Sequence, residues 1–295
     1  MTKNIFFLIV FILVQVLCQA QLPSTDIWLM QINFKHGNIQ LTEPKNITHK
    51  KGYENQPSYS KDGKVIYYTG QSDTSAKTAI YSYTLSTRET KQATFSATSP
   101  YSPMPSPTEN GISTVTVEKD STQRIWLHPF SGADPYPLFP KRDSVGYYAW
   151  INAQSALAFI LPGKNTSNRL SLINADGTEK KIAENVGRGM KVFGKGAFFI
   201  QKKDSIYYLS WTNFDQTKPL VKTPGSSVDL AVYKDYVLMA SEGIIYAAKM
   251  KMKKGQVVSF EEFKPLEDLS SFGLKNISRM AVSPDEKTIA IATGM

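Results

Sequence analysis

The sequence is poor in the side chains that most often carry chemistry. Its 295 residues hold one cysteine, Cys18, and three histidines, His36, His49 and His128. A single thiol excludes a disulfide framework and a thiolate metal cluster. No His-Glu-x-x-His, Gly-x-Ser-x-Gly, Walker-type loop or calcium-loop spacing occurs, so the usual zinc, serine-hydrolase and nucleotide sites lack their groups. Neither a metal nor a cofactor is expected. Charged residues make up 20% of the chain and hydrophobic ones 41%, which fits neither a disordered polyelectrolyte nor a multi-pass membrane protein.

What is abundant points elsewhere. With 18 Gly, 16 Pro, 15 Tyr and 15 Phe, the composition favours turns and half-buried aromatic strands over helical bundles. The one long apolar run, Ile5 to Leu17, follows Lys3 and leads to Cys18-Gln19-Ala20, the n-region, h-region and small residue of a cleavable secretory signal. A membrane span needs about 20 apolar residues, and Gln15 interrupts this shorter stretch, so residues 1–20 are expected to be removed rather than to anchor. Lipidation of Cys18 is the alternative, against which Leu17 stands where a lipoprotein signal normally carries Gly or Ala. The expected mature protein, 21–295, is a single domain, periplasmic or secreted, with no transmembrane span.

A repeat organises the remainder. Gln56 to Tyr68 reads as strand, Lys61-Asp62-Gly63 turn and strand; Ala79 to Tyr83 and Glu89 to Thr94 follow as third and outer strands. The order returns about 46 residues on, with Ser102 to Gly111, Ile112 to Val117, Arg124 to Leu127 and an outer turn at Ser131 to Asp134. A third copy runs through Tyr147 to Ile151, Leu157 to Leu161, Arg169 to Ile173 and Lys180 to Ile182. The fourth (Lys191 to Phe193, Gly196 to Gln201, Ser205 to Leu209) and fifth (Leu230 to Val232, Tyr236 to Ala240, Gly243 to Tyr246) lack readable outer strands. A sixth, Ile277 to Ala292, supplies only two inner strands. The missing half stands at the front of the chain, as Asp26 to Ile32, a His36-Gly37-Asn38 turn and Ile39 to Thr42. Pairing those halves closes a ring of six four-stranded blades with no open edge between first and last.

The segments Tyr59-Ser60-Lys61-Asp62-Gly63-Lys64 and Val282-Ser283-Pro284-Asp285-Glu286-Lys287, with Asp26-Ile27-Trp28 and Arg124-Ile125-Trp126, resemble the Ser-Pro-Asp-Gly and Ile-Tyr/Trp signatures of TolB-like, WD-repeat-like propeller repeats. The resemblance covers nearly all of residues 25–295 and is clearest in blades one, two and six. It implies an all-β, six-bladed propeller of the bacterial cell envelope. TolB carries a further N-terminal α/β domain that contributes to the Tol-Pal partnership and has no counterpart here, so what the resemblance carries over is the fold.

Most chemically suggestive residues have a structural reading. Asp62 and Asp285 are turn carboxylates on separate blades and do not converge on one point. Tyr59, Tyr67, Tyr81, Trp126 and Trp150 are expected to fill the space between blades. The histidines share no site, and Glu261-Glu262, beside Phe260 and Phe263, read as a solvated connection. The formal charge of +9, reduced by one when Lys3 leaves with the signal, invites anionic partners. Its densest run, Lys249-Met250-Lys251-Met252-Lys253-Lys254, alternates like a solvated outer strand whose lysines discourage edge pairing, so no nucleic acid is expected.

Function is therefore sought where inner strands converge. Aligning the repeats on Tyr59 puts Gln56, Ser102, Tyr147, Gly189, Asp229 and Arg279 at equivalent innermost positions, with Asn55, Arg188 and Asn276 beside them. Gln56, Ser102, Tyr147, Arg188, Asp229 and Arg279 are the ligand-binding candidates; no catalytic residue is nominated. Arg279 and Asp229 could hold a carboxylate, an amine or a sugar, or the ring could serve solvation alone. The expected function is a non-enzymatic, monomeric binding scaffold that recognises a protein or cell-envelope component. The alternative is a propeller hydrolase or lyase acting on a small ester, peptide or glycan at the channel mouth.

Overall fold

In the computed structural model, which describes residues 22–42, 44–71, 77–253 and 256–294, the first hairpin turn closes as its residues require. Ser60 donates its hydroxyl to Asp62 Oδ1 at 2.6 Å, the Lys64 amide donates to the same carboxylate, and Gly63 takes φ +72°. Glycine reaches that left-handed backbone without a Cβ clash. The same device recurs in blade six, where Ser283 donates to Asp285 Oδ1 at 2.7 Å and Glu286 occupies the left-handed position. Both carboxyls lie below the usual range, chiefly because of those serine hydroxyls. They are turn residues, as the sequence implies. The expected signal segment and Cys18 lie outside the described residues.

Six antiparallel sheets result. Blade one comprises Glu54–Tyr59, Val65–Gln71, Thr78–Thr84 and Thr90–Gln92, and blade two Ser99–Pro105, Gly111–Val117, Gln123–Pro129 and Tyr136–Pro137. Blade three comprises Val145–Asn152, Ser155–Ile160, Arg169–Asn174 and Glu179–Glu184, and blade four Val186–Phe193, Gly196–Lys203, Ile206–Thr212 and Thr217–Lys222. Blade five begins with Ala231–Tyr233, Tyr236–Ser241 and Ile244–Lys253. Blade six joins Asn276–Val282 and Thr288–Gly294 to Thr25–Lys35 and Asn38–Leu41. Ile27 lies opposite Ala292 and Met30 opposite Ile289, so the first described strand sits in the sheet of the last. The ring closes as the repeat count predicts.

One strand assignment is corrected. Lys249 to Lys253 is not an outer strand but the far half of the third strand of blade five, which runs past its inner neighbour. Two outer segments share its free edge: Gln256–Phe260 pairs with the far half and Lys264–Asp268 with the near half. The period-two alternation holds at Met250, which is buried opposite Phe260, and lapses at the exposed Met252. Glu261 and Glu262 form the link between those two segments.

Five buried apolar clusters hold the blades face to face. Tyr59 and Tyr81 pack with Ile27, Ala290 and Ala292 between blades six and one, and Trp150 packs with Val115 and Ile125 between blades two and three. The register puts Tyr67 and Trp126, both half-buried, on the faces that blades one and two turn toward each other. That interface is polar where the others are greasy. Thr69, Thr78, Thr114, Thr116 and His128 are buried in it, and burial lowers the His128 pKa to about 4.

Candidate functional site

Each inner strand has to bend where it meets the axis, and the ladder breaks there in blades one, two, three, four and six. The breaks fall between Asn55 and Ser58, Tyr101 and Met104, Val145 and Tyr147, Val186 and Met190, and Ile277 and Arg279. An extra residue at such a bulge turns a side chain out of the sheet. Gln56 and Ser102 adopt left-handed backbone at theirs. Blade five arrives at the same height without a ladder, through Val228 to Leu230.

The candidate residues meet at this level and are largely engaged in joining blades. Gln56 Oε1 accepts from the Ser102 amide at 2.8 Å, linking blades one and two. Asp229 Oδ2 accepts from the Met280 amide at 2.9 Å, linking five and six. Arg188 Nη2 reaches past blade five and donates to the Ser278 carbonyl at 2.9 Å. Arg279 Nη1 donates to that same carbonyl at 2.7 Å, and its Nη2 donates to Tyr147 Oη on blade three at 3.1 Å. Asn55 Nδ2 donates to Ser278 Oγ at 3.2 Å, tying blade one to blade six.

Gly189 allows two of these groups to stand side by side. Its amide donates to the Val228 carbonyl at 2.8 Å, and a Cβ there would lie 2.6 Å from that oxygen and 2.9 Å from Asp229 Cα. No side chain fits, so the glycine brings Arg188 next to Asp229. Burial pushes the Asp229 carboxyl above its ordinary range, with the Arg279 and Arg188 guanidiniums pulling the other way. Burial and the Arg279 charge depress Arg188. Tyr53, within the field of both arginines, is pushed up to about 12 by burial.

Two cavities flank this layer. A mouth basin of about 360 Å³ opens beside blades five and six, lined among others by Glu242, Lys275 and Asn276. An axial cavity of about 270 Å³ is walled by the inner strands of all six blades. Arg188, Asp229, Arg279 and Met280 line both and form the partition. Gln56, Ser102 and Tyr147 face the axial cavity, whereas Gly189 and Asn55 line neither and Asn276 lines only the basin.

Sequence alignment missed Lys191, which also lines the axial cavity. It stands further along the inner strand of blade four, with its side chain exposed rather than packed away between blades. The signal was a lysine inside an inner strand, where neighbouring blades carry Met104, Ala149 and Ala281.

Among the described residues no group of three His, Cys, Asp or Glu side chains is placed to hold a metal ion. Thr114 Oγ1 and His128 Nε2 lie 3.1 Å apart, a nucleophile and base in principle, but both are buried between blades one and two and line neither cavity. No helix of the described residues is long and apolar enough to cross a membrane.

No family model and no curated protein sequence matches the chain. Solved structures do. A putative TolB from Agrobacterium tumefaciens aligns with a TM-score of 0.65 at 12% identity, over 92% of this chain and 99% of that one. A chain of the nidogen/laminin complex aligns with a TM-score of 0.57 at 12% identity, over 83% and 99%. The tricorn protease aligns with a TM-score of 0.54 at 14% identity, over 83% of this chain and 26% of that one. Identities this low speak for architecture alone: the chain is a six-bladed β-propeller similar in fold to a TolB protein.

Proposed function

We propose that the protein is an exported, monomeric, non-enzymatic scaffold that recognises a protein or cell-envelope component through its channel face. The observation that carries this reading is the mouth basin. It combines cationic Arg188, Lys275 and Arg279 with anionic Asp229 and Glu242 on a wall already cross-linked between blades. Such a surface is pre-organised, so a partner meets it with little ordering cost. A catalytic site would instead need a nucleophile and a base open to substrate. The fold likeness to a chain of the nidogen/laminin complex is compatible with a protein partner.

The test compares the full-length protein with a Glu242→Lys, Lys275→Glu double variant in quantitative capture from cell-envelope extract. The reading expects partners retained by the first and lost by the second, both eluting as monomers. Identical captured sets, or none from either, would overturn it. So would turnover of an ester, peptide or glycan panel that Asp229→Ala or Arg279→Ala abolishes, which would favour the hydrolase or lyase alternative.

A further inference from the structure

The axial cavity behind the partition is rich in hydrogen-bond donors that the protein itself does not use. Lys191 lines this cavity with its side chain exposed to it and forms no ion pair or hydrogen bond with any described residue. Arg188 Nε is buried without a partner, although the outer nitrogen of the same guanidinium binds the Ser278 carbonyl. Ser58 Oγ and Ser102 Oγ are likewise buried and unpartnered, and both residues line this cavity. Unmatched polar atoms inside a protein cost free energy, and their convergence on one chamber points to a group that completes them.

Charge decides what kind of group. Arg188, Lys191 and Arg279 face a single carboxylate, Asp229, so the lining stays net positive even with Asp229 ionised. Asp229 already accepts from the Met280 amide and lies within the field of both guanidiniums, leaving no open carboxylate for a cation. A neutral polyol would satisfy the hydroxyls but leave the positive charge of the lining unanswered. At about 270 Å³ the chamber falls short of the roughly 300–1,000 Å³ of drug-sized sites, which suits a compact ligand. We infer that the axial cavity is a binding site for a small oxyanion, with Lys191 supplying the charge, Arg188 Nε a directed N–H, and Ser58 and Ser102 flanking hydroxyls. Met104, Ala149 and Ala281 line the remaining wall and keep the chamber narrow.

The site lies behind the mouth basin and stands apart from the partner reading. The test is calorimetric titration of the full-length protein with inorganic phosphate, sulfate and acetate at ionic strength matched with chloride. The three arms separate tetrahedral from planar oxyanions. Saturable one-to-one binding of at least one is expected, weakened about tenfold or more by Lys191→Met, restored by Lys191→Arg, and unaltered by Lys195→Met in the exposed hairpin turn of the same blade. Should Lys191→Met fail to fold, Ser58→Ala provides the second reading, with an expected loss of about threefold. Absence of saturable binding, or equal affinity in wild type and Lys191→Met, would overturn the inference. Anion binding that survives in the Glu242→Lys, Lys275→Glu protein while partner capture is lost separates the two sites; loss of anion binding alone removes only this one.

Discussion

Arg279 of blade six reaches Tyr147 of blade three, the blade directly opposite, placing its guanidinium carbon 5.2 Å from the ring centroid and donating to Oη at 3.1 Å. One side-chain pair thus crosses the axis. Tyr147→Phe keeps the ring and removes the hydrogen bond, and it should cost about 1 kcal/mol in urea unfolding. Tyr147→Ala removes both and should cost clearly more, since the cation–π contact is worth about another 1 kcal/mol and the ring packs on Phe159.

Gly189→Ala should be more damaging than its size suggests. The new Cβ would meet backbone of blade five rather than a movable side chain. A loss of about 1–3 kcal/mol is expected, with weakened binding of small anions because Arg188 shifts with its neighbour. An unchanged melting temperature would show that the two inner strands can separate freely.

Ring closure can be probed at Tyr59 and Ile27. Tyr59 Oη and Thr288 Oγ1 lie 2.9 Å apart in a buried contact between blades one and six. Tyr59→Phe leaves the threonine unpartnered there, for an expected loss of about 1–2 kcal/mol. Ile27→Ala, at a position with 0% exposure, should cost about 2–5 kcal/mol by the cavity it opens. Denaturant midpoints read out both.

Acid sensitivity should trace to His128. Burial lowers its pKa to about 4 in the folded protein, while the unfolded chain titrates near 6.5. Between those values the unfolded chain takes up a proton that the folded one refuses, so stability falls as pH drops through that window and is fully retained above it. The loss amounts to about 3 kcal/mol for this group, and His128→Gln should shrink the acid-side slope accordingly.

The architecture was legible because turn chemistry is local. Ser60-Lys61-Asp62-Gly63 and Ser283-Pro284-Asp285 announce their hairpins in a few residues, and half a blade at each end of the repeats forces closure. Lys249 to Lys253 misled because nothing near it in sequence says that its strand outruns the inner neighbour; that depends on the later segment Gln256–Phe260. The axial residues were legible by type but not by height. Bulges of unequal length turn Arg188 rather than Gly189 toward the axis, and an alignment confined to one level leaves out Lys191. The mutual bonding of the ring was invisible for the same reason, since Arg188 and Ser278 are distant in sequence and join only when blade six is complete.

Pairing of Thr25–Lys35 with Thr288–Gly294 also fixes the order of events in biosynthesis. The strand made early must wait, unmatched, until residue 294 has emerged, so this blade cannot assemble before both of its halves have been made. Contacts this distant in sequence make folding slow. In the interval Ile27 and Met30, both buried in the finished ring, lack their cover and leave an unpaired apolar strand open to association with other chains.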